Sequence, residues 1–342
     1  MLRRSDFGYE IPPELIAQEP SLRRDASRLL VVRRDREDFE HRSFPDILEY
    51  LFPEDILVLN ETKVLPVRLY GVKEGTGGRV EVLLLRALHD DKWEVLVRPG
   101  RRLPPGTRLS FGDGLVTGEV LSRTEMGGRV VRLFYEGTLE EALERVGEVP
   151  LPPYIKRKLA DPDRYQTVYA NVPGSAAAPT AGLHFTEELL AAVTAKGVTV
   201  VPLVLHIGLD TFRPVQVENL AEHKMHREDY FVPESTAAVI NRAKEEKRRV
   251  IAVGTTTVRC LEAAACPTGG LAAGAGSTDL FIYPGYVFKI VDAIITNFHL
   301  PYSTLLMMVA AFAGREKILR AYQEAVCLKY RFYSFGDAML IL

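Results

Sequence analysis

The apolar run at 250–253 is followed at once by Gly254, Thr255, Thr256 and Thr257, with Arg259 and Glu262 close behind. A glycine and three hydroxyls at the start of a helix offer backbone N–H groups to an anion such as a carboxylate or a phosphate. Threonines in that place also serve simply as helix caps, and the spacing alone allows either role. The string is neither GxGxxG nor a P-loop, so the usual nucleotide fingerprints are absent. Three histidines fall at the edges of elements: His184 in PTAGLHFT, His206 in LHIG and His299 in TNFHLP. A single histidine of this kind is commonly a packing residue. Three at the edges of one sheet suggest proton transfer near neutral pH. His223 and His226 stand three apart in EHKMHRE with no obvious third ligand, so no metal site is expected there. STDLFIYPGY gathers Asp279, Tyr283 and Tyr286, and YRFYSFGD at 330–337 sets four aromatics beside Arg331 and Asp337. Aromatics interleaved with a cation either stack bases or close the edge of a core.

These groups need strands and helices to place them, and the pattern divides into three zones. Up to about Asn60 there are short apolar runs at 29–32 and 56–59, with a helix expected near 46–51 between them. From about 63 to 150 the runs VRLYGV, RVEVLLLRAL, WEVLVRP, RLSFG, LVTGEVL and RVVRLFY alternate with turn strings such as GTGG and GDG. Such spacing predicts a small antiparallel barrel. Thr138 and Glu141 form a capping box ahead of a short helix, and PLPPY then marks a boundary. From about 151 strands alternate with helices: a helix capped by Thr186 and closed by Gly197, strands at 198–205, 250–253, 279–283 and 291–296, helices at 235–249, 303–313 and 316–329, and a last strand in AMLIL. The expected fold is α/β. A largely parallel sheet flanked by helices, 1–62 plus 151–342, is interrupted by an inserted small antiparallel β-barrel, 63–150. Ligands of such sheets bind beyond the carboxyl ends of the strands, where the polar loops fall.

Bulk numbers narrow the class. The 342 residues carry 43 basic and 45 acidic side chains, a net charge of -2, so any nucleic-acid contact must be a local patch. The densest basic stretches are RPGRR at 98–102 with Arg108, and Lys156, Arg157, Lys158 and Arg164. Three scattered cysteines without a CxxC pair argue against a disulfide framework and a zinc site. MLRRSDFGYEIPP has no apolar h-region, and the longest apolar stretch is about half a membrane span, so a cytoplasmic protein with no membrane association is expected.

Taken in order, FGYEIPPELIAQEP, RDASRLLV, LNETKVLPVRL, APTAGLHFT, LHIGLDTFRPV, HKMHRE, VGTTTVRCLE, the block from Ser277 to Gly314 and YRFYSFGDAMLI resemble the S-adenosylmethionine:tRNA ribosyltransferase-isomerase family of queuosine biosynthesis. The resemblance covers essentially the whole chain, and the 277–314 block is its most specific part. Asp210 stands where the family usually has glycine. The resemblance implies transfer and isomerisation of the ribosyl moiety of S-adenosylmethionine onto 7-aminomethyl-7-deazaguanine at the wobble position of tRNA with a GUN anticodon. Epoxyqueuosine-tRNA, adenine and methionine result. It implies S-adenosylmethionine as co-substrate, no resident cofactor, no metal and a monomer. The sulfonium acidifies the ribose C5′ hydrogens, so His184 or His299 is expected to act as base, with Asp279 as orienter or sulfonium partner. Gly254, Thr255, Thr256, Thr257 and Arg259 would hold the methionine carboxylate, and Tyr283 and Phe298 would flank adenine or the target base.

Two other readings explain parts of the sequence. A non-catalytic RNA-binding barrel would account for 63–150 and the aromatic tail, but not for the polar groups at strand ends. A transferase using a phosphorylated donor would account for the GTTT helix start alone.

Overall fold

The computed structural model describes residues 2–124, 127–208, 214–267 and 269–342. The chain divides into two compact units. One comprises Met1–Lys63, Pro152–Val172 and Ala178–Leu342, and the other Val64–Leu151 with Pro173–Ala177.

The first unit is built on a nine-stranded sheet with helices. In spatial order its strands are Gly274–Thr278, Glu228–Val232, Thr199–Leu205, Ile56–Asn60, Val250–Val253, Ala293–Asn297, Ala338–Ile341, Arg28–Val32 and Phe39–Ser43. The run from Thr199–Leu205 through Ala293–Asn297 is parallel throughout, and Arg28–Val32 pairs in parallel with Ala338–Ile341. The remaining neighbours are antiparallel. The sheet is therefore mixed, with its parallel pairing concentrated at the centre. The short link between 32 and 39 permits only an antiparallel hairpin, because a parallel return needs a crossover of a dozen or more residues. Every residue of Ile56–Asn60, Val250–Val253 and Ala293–Asn297 is buried, as expected for parallel strands covered on both faces. Leu29, Phe44, Leu57, Phe185, Ile251 and Ile295 meet in one core cluster beneath this centre.

Local signals account for most helix limits. Thr186 Oγ1 accepts the Leu189 N–H at 3.1 Å and starts the helix Glu187–Ala195, which Gly197 closes with φ +91°. Ser303 Oγ accepts the Leu306 N–H at 3.2 Å and starts Thr304–Ala313. The helices Glu234–Glu245, Thr255–Ala263 and Arg315–Cys327 complete the set used below. Near 46–51 the structure has a 3₁₀ helix, Phe44–Tyr50. The strand expected at 279–283 is not formed. Its place in the ladder is taken by Gly274–Thr278, and Thr278 Oγ1 captures the Leu280 N–H at 3.1 Å, which removes that donor from strand pairing.

The second unit is a closed six-stranded antiparallel barrel of Arg68–Lys73, Arg79–Ala87, Lys92–Arg98, Arg129–Tyr135, Val116–Arg123 and Arg108–Phe111. Pairing of the last strand with the first closes it. The helix Leu139–Val146 carries the expected capping box, with Glu141 N–H on Thr138 Oγ1 at 3.3 Å and Thr138 N–H on Glu141 Oε2 at 3.0 Å. Among the described residues no helix is long and apolar enough to cross a membrane.

Candidate active site

Beyond the carboxyl ends of Val250–Val253 and Ala293–Asn297 lies a cleft with about 530 Å³ between its walls, part of it open to solvent. This is the position where open α/β sheets hold ligands. Its floor comes from two strand ends. Gly254 donates its N–H to the Ile295 carbonyl at 2.8 Å and then turns at φ +91°, a conformation that strains any residue with a Cβ. The chain thereby passes from strand to helix within one residue and leaves Thr255 and Thr256 at the helix start on the cleft wall. Thr256 is held from below. Asn60 Nδ2 donates to its Oγ1 at 3.2 Å, while Asn60 also bonds the Leu205 carbonyl and N–H, each at 3.0 Å.

The second strand end supplies Thr296, Asn297, Phe298 and His299. His299 Nε2 lies 2.9 Å from Thr296 Oγ1. Its backbone is clamped on both sides, with its N–H on Tyr322 Oη at 2.9 Å and its carbonyl accepting from Tyr9 Oη. Burial pushes the imidazole pKa down to about 3, so the ring is neutral at pH 7. Phe298 belongs to the wall, but its ring packs against Phe332, Tyr322 and Tyr330 at centroid distances of 4.8, 5.2 and 5.7 Å. The 330–337 segment closes this core edge and contributes Tyr333 and Ser334 to the cleft. Ser334 Oγ lies 2.6 Å from Tyr154 Oη on the same wall.

His184 sits elsewhere, in a smaller hollow with Ser27, Arg24 and Arg164. Gly182 before it has no room for a side chain, since a Cβ there would meet Tyr169 Oη at 1.9 Å. His184 Nδ1 is 2.7 Å from Ser27 Oγ and Nε2 is 3.1 Å from Asn297 Nδ2. An amide nitrogen can only donate, so Nε2 accepts and the proton sits on Nδ1. Burial lowers this pKa also to about 3, and the Arg331 charge adds to the effect. The His184 lone pair is thus already engaged. His206 Nδ1 pairs with Thr62 Oγ1 at 2.8 Å, with its pKa lowered by burial against a smaller opposing influence of Asp229.

Of the residues expected from sequence, Gly254, Thr255, Thr256, Phe298 and His299 come together on the cleft, whereas Thr257, Arg259, His184, Asp279 and Tyr283 do not line it. Thr257 Oγ1 donates to the Val253 carbonyl at 2.6 Å, an ordinary helix back-bond. Arg259 and Glu228, 2% and 6% exposed, form a buried ion pair, and Arg259 Nη2 is buried with no partner among the described residues. Asp279 is 63% exposed and faces Arg227 at 3.8 Å. Tyr283 stacks with Phe281 at 4.9 Å. Asp210 lies outside the described residues. Of the basic side chains, Arg157 pairs with Glu19 at 2.6 Å, and Arg164 turns inward onto the Ser21 and Leu22 carbonyls. Among the described residues no group of three His, Cys, Asp or Glu side chains is placed to hold a metal ion.

Tyr333 is one of the four aromatics of the 330–337 string, whereas Thr296, Asn297, Tyr154 and Ser27 were not singled out from the sequence. Thr296 and Asn297 carried a usable signal, since they end an apolar run just as His206 does. Ser27 carried none.

Comparison with known proteins agrees along the full length. The model of the family described as queuosine biosynthesis protein matches residues 4–341. The chain is 59% identical to an S-adenosylmethionine:tRNA ribosyltransferase-isomerase of Pelotomaculum thermopropionicum, over 99% of each chain. It is 58% identical to the protein of the same name from Symbiobacterium thermophilum, over 100% of each. The crystal structure of an S-adenosylmethionine tRNA ribosyltransferase from Thermotoga maritima is similar at 42% identity and a TM-score of 0.57, covering 98% of this chain and 100% of that one. From its first strands to its last, the chain belongs to the queuosine biosynthesis protein family.

Proposed function

We propose that this protein transfers and isomerises the ribosyl moiety of S-adenosylmethionine onto 7-aminomethyl-7-deazaguanine at the wobble position of GUN-anticodon tRNA, giving epoxyqueuosine-tRNA, adenine and methionine. Full-length similarity to relatives bearing the corresponding name carries this reading. The cleft supports it, because Thr255, Thr256 and His299 meet there at the carboxyl ends of parallel strands. S-adenosylmethionine is a co-substrate, and no resident cofactor is invoked. The enzyme works in the cytoplasm as a monomer, which sedimentation at more than one chain mass would contradict.

The N–H groups at the start of Thr255–Ala263 suit the methionine carboxylate, whereas the Arg259 charge is already matched by Glu228. His299 is better placed than His184 to take the C5′ proton, since it stands on the cleft and, among the described residues, its ring hydrogen-bonds one side chain, Thr296. Burial keeps this imidazole neutral at pH 7, the form that can accept a proton but does not hold it. The ring passes the proton on, and the departing adenine is the group that needs one. A positioned acid or base of this kind contributes about 10²–10⁴-fold. Asp279 has no role in this scheme at its exposed position. The reading is tested by incubating the protein with S-adenosylmethionine and tRNA bearing the aminomethyl base. Adenine release that depends on that tRNA supports it, and no release from folded protein refutes it.

A further inference from the structure

Asn297 ends the central strand Ala293–Asn297 on the cleft wall and is 2% exposed. Both protons of its amide nitrogen are spoken for. One goes to His184 Nε2 at 3.1 Å and the other to the Tyr333 carbonyl at 3.1 Å. The carbonyl can only accept, so the amide cannot be turned over, and the oxygen Oδ1 is fixed as the free end. That oxygen is buried and, among the described residues, has no hydrogen-bond partner. A buried acceptor left unpaired is costly, and such groups in native proteins call for an explanation.

Two features show that the arrangement is enforced. Tyr333 holds its carbonyl in place from a left-handed backbone conformation, φ +71°, which strains a residue with a large side chain. His184 Nε2 faces the Asn297 amide nitrogen and therefore accepts, and the Ser27 hydroxyl pairs with the protonated Nδ1. Ser27, His184 and Tyr333 together hold the amide oxygen in one orientation.

We propose that Asn297 Oδ1 accepts a hydrogen bond from the 6-amino group of the adenine in S-adenosylmethionine and makes the cleft selective for 6-amino over 6-oxo purines. This rests on the ribosyl-transfer reading above. The cleft walls contain no carboxylate among the described residues, so no anionic acceptor on them competes with the amide oxygen for a neutral aromatic amine. Tyr154 and Tyr333, with ring centroids 4.9 Å apart, line the same cleft and offer an aromatic surface to a purine. The oxygen is screened from solvent, so the walls must part for the base to reach it. Because Nδ2 is committed, Asn297 cannot donate to a 6-oxo group, and two carbonyl oxygens would face each other. His184 is then a positioning residue that acts through Asn297.

The test is equilibrium binding of S-adenosylmethionine and its 6-oxo counterpart, S-inosylmethionine, to the full-length protein. The wild type should prefer the amino form by on the order of a hundredfold, since a site built around one hydrogen-bond partner rejects an analogue lacking it. In Asn297→Ala this preference should fall to within about threefold. His184→Leu removes one of the two groups that hold the amide and should shrink the preference by loosening its hold on the 6-amino form, whereas a merely structural loss would weaken both ligands alike. Equal binding of the two by wild type, which needs no variant to fold, overturns the proposal, as does full discrimination by Asn297→Ala. If wild type releases adenine from S-adenosylmethionine with the aminomethyl tRNA yet does not discriminate, this inference alone fails. If it neither binds nor turns over S-adenosylmethionine, the ribosyl-transfer reading fails with it.

Discussion

Ser27 Oγ lies 2.7 Å from His184 Nδ1 across 157 positions of sequence, and this contact decides what the histidine can do. The Ser27 hydroxyl accepts from Nδ1–H, because the Asn297 amide nitrogen, which can only donate, occupies Nε2. A ring with both nitrogens engaged orients its neighbours and is poorly suited to take a proton from substrate. His299, with a single side-chain partner, is the opposite case.

Kinetics should separate the two. His299→Gln is expected to lower kcat by roughly 10²–10⁴-fold with tRNA binding intact, the usual cost of losing a positioned acid or base. His184→Gln should act mainly on KM for S-adenosylmethionine. Near wild-type turnover in His299→Gln would remove His299 from the chemistry.

The same two histidines make stability depend on pH. Each has its pKa lowered from 6.5 to about 3 by burial. Between those values the unfolded chain binds a proton that the folded chain does not, so stability rises with pH across the window and is lost on acidification. Each contributes about 1.4 kcal/mol per pH unit there. Urea midpoints should therefore fall steeply from pH 6.5 to pH 5, and less steeply in His184→Asn. A flat profile would mean that the rings protonate without unfolding.

Much of this was legible in the sequence, for reasons that can be named. The barrel strands follow from alternation between Gly-rich turns, as in Arg79–Ala87, and helix starts at Thr138, Thr186 and Ser303 follow from side-chain caps. Gly254 and the threonines after it were legible as a strand-to-helix turn. The partners of buried polar groups were not. Arg259 reads as an anion ligand until Glu228, 31 positions away, is found beside it, and Asp279 reads as a site carboxylate until its exposure is known. Such pairings are made by the fold between distant residues, and local spacing does not encode them.

Arg259 and Glu228 give a stability prediction of their own. Arg259→Met removes the cation from a buried ion pair, leaving Glu228 with neutral partners such as the Gly208 N–H, and should cost about 3–5 kcal/mol. Adding Glu228→Gln should recover part of that loss, measured as urea unfolding free energies of the single and double variants. No recovery would show that Arg259 contributes through packing and its hydrogen bond to the Leu280 carbonyl rather than through the pair.

Salt dependence locates the RNA surface. Arg98, Arg101 and Arg108 are exposed on the barrel unit. Replacing them with alanine should reduce the slope of log affinity for tRNA against log salt by about 0.7–0.9 for each phosphate that is no longer neutralised. An unchanged slope would place the RNA surface away from this stretch.

The central claim is that the ribosyl carbons of S-adenosylmethionine end on the tRNA wobble base. The direct measurement uses S-adenosylmethionine isotopically labelled in the ribose, with tRNA carrying 7-aminomethyl-7-deazaguanine, and mass spectrometry of the wobble nucleoside. The account predicts that the label appears in that nucleoside while unlabelled adenine and methionine are released. Unlabelled tRNA recovered after incubation with folded protein would contradict it.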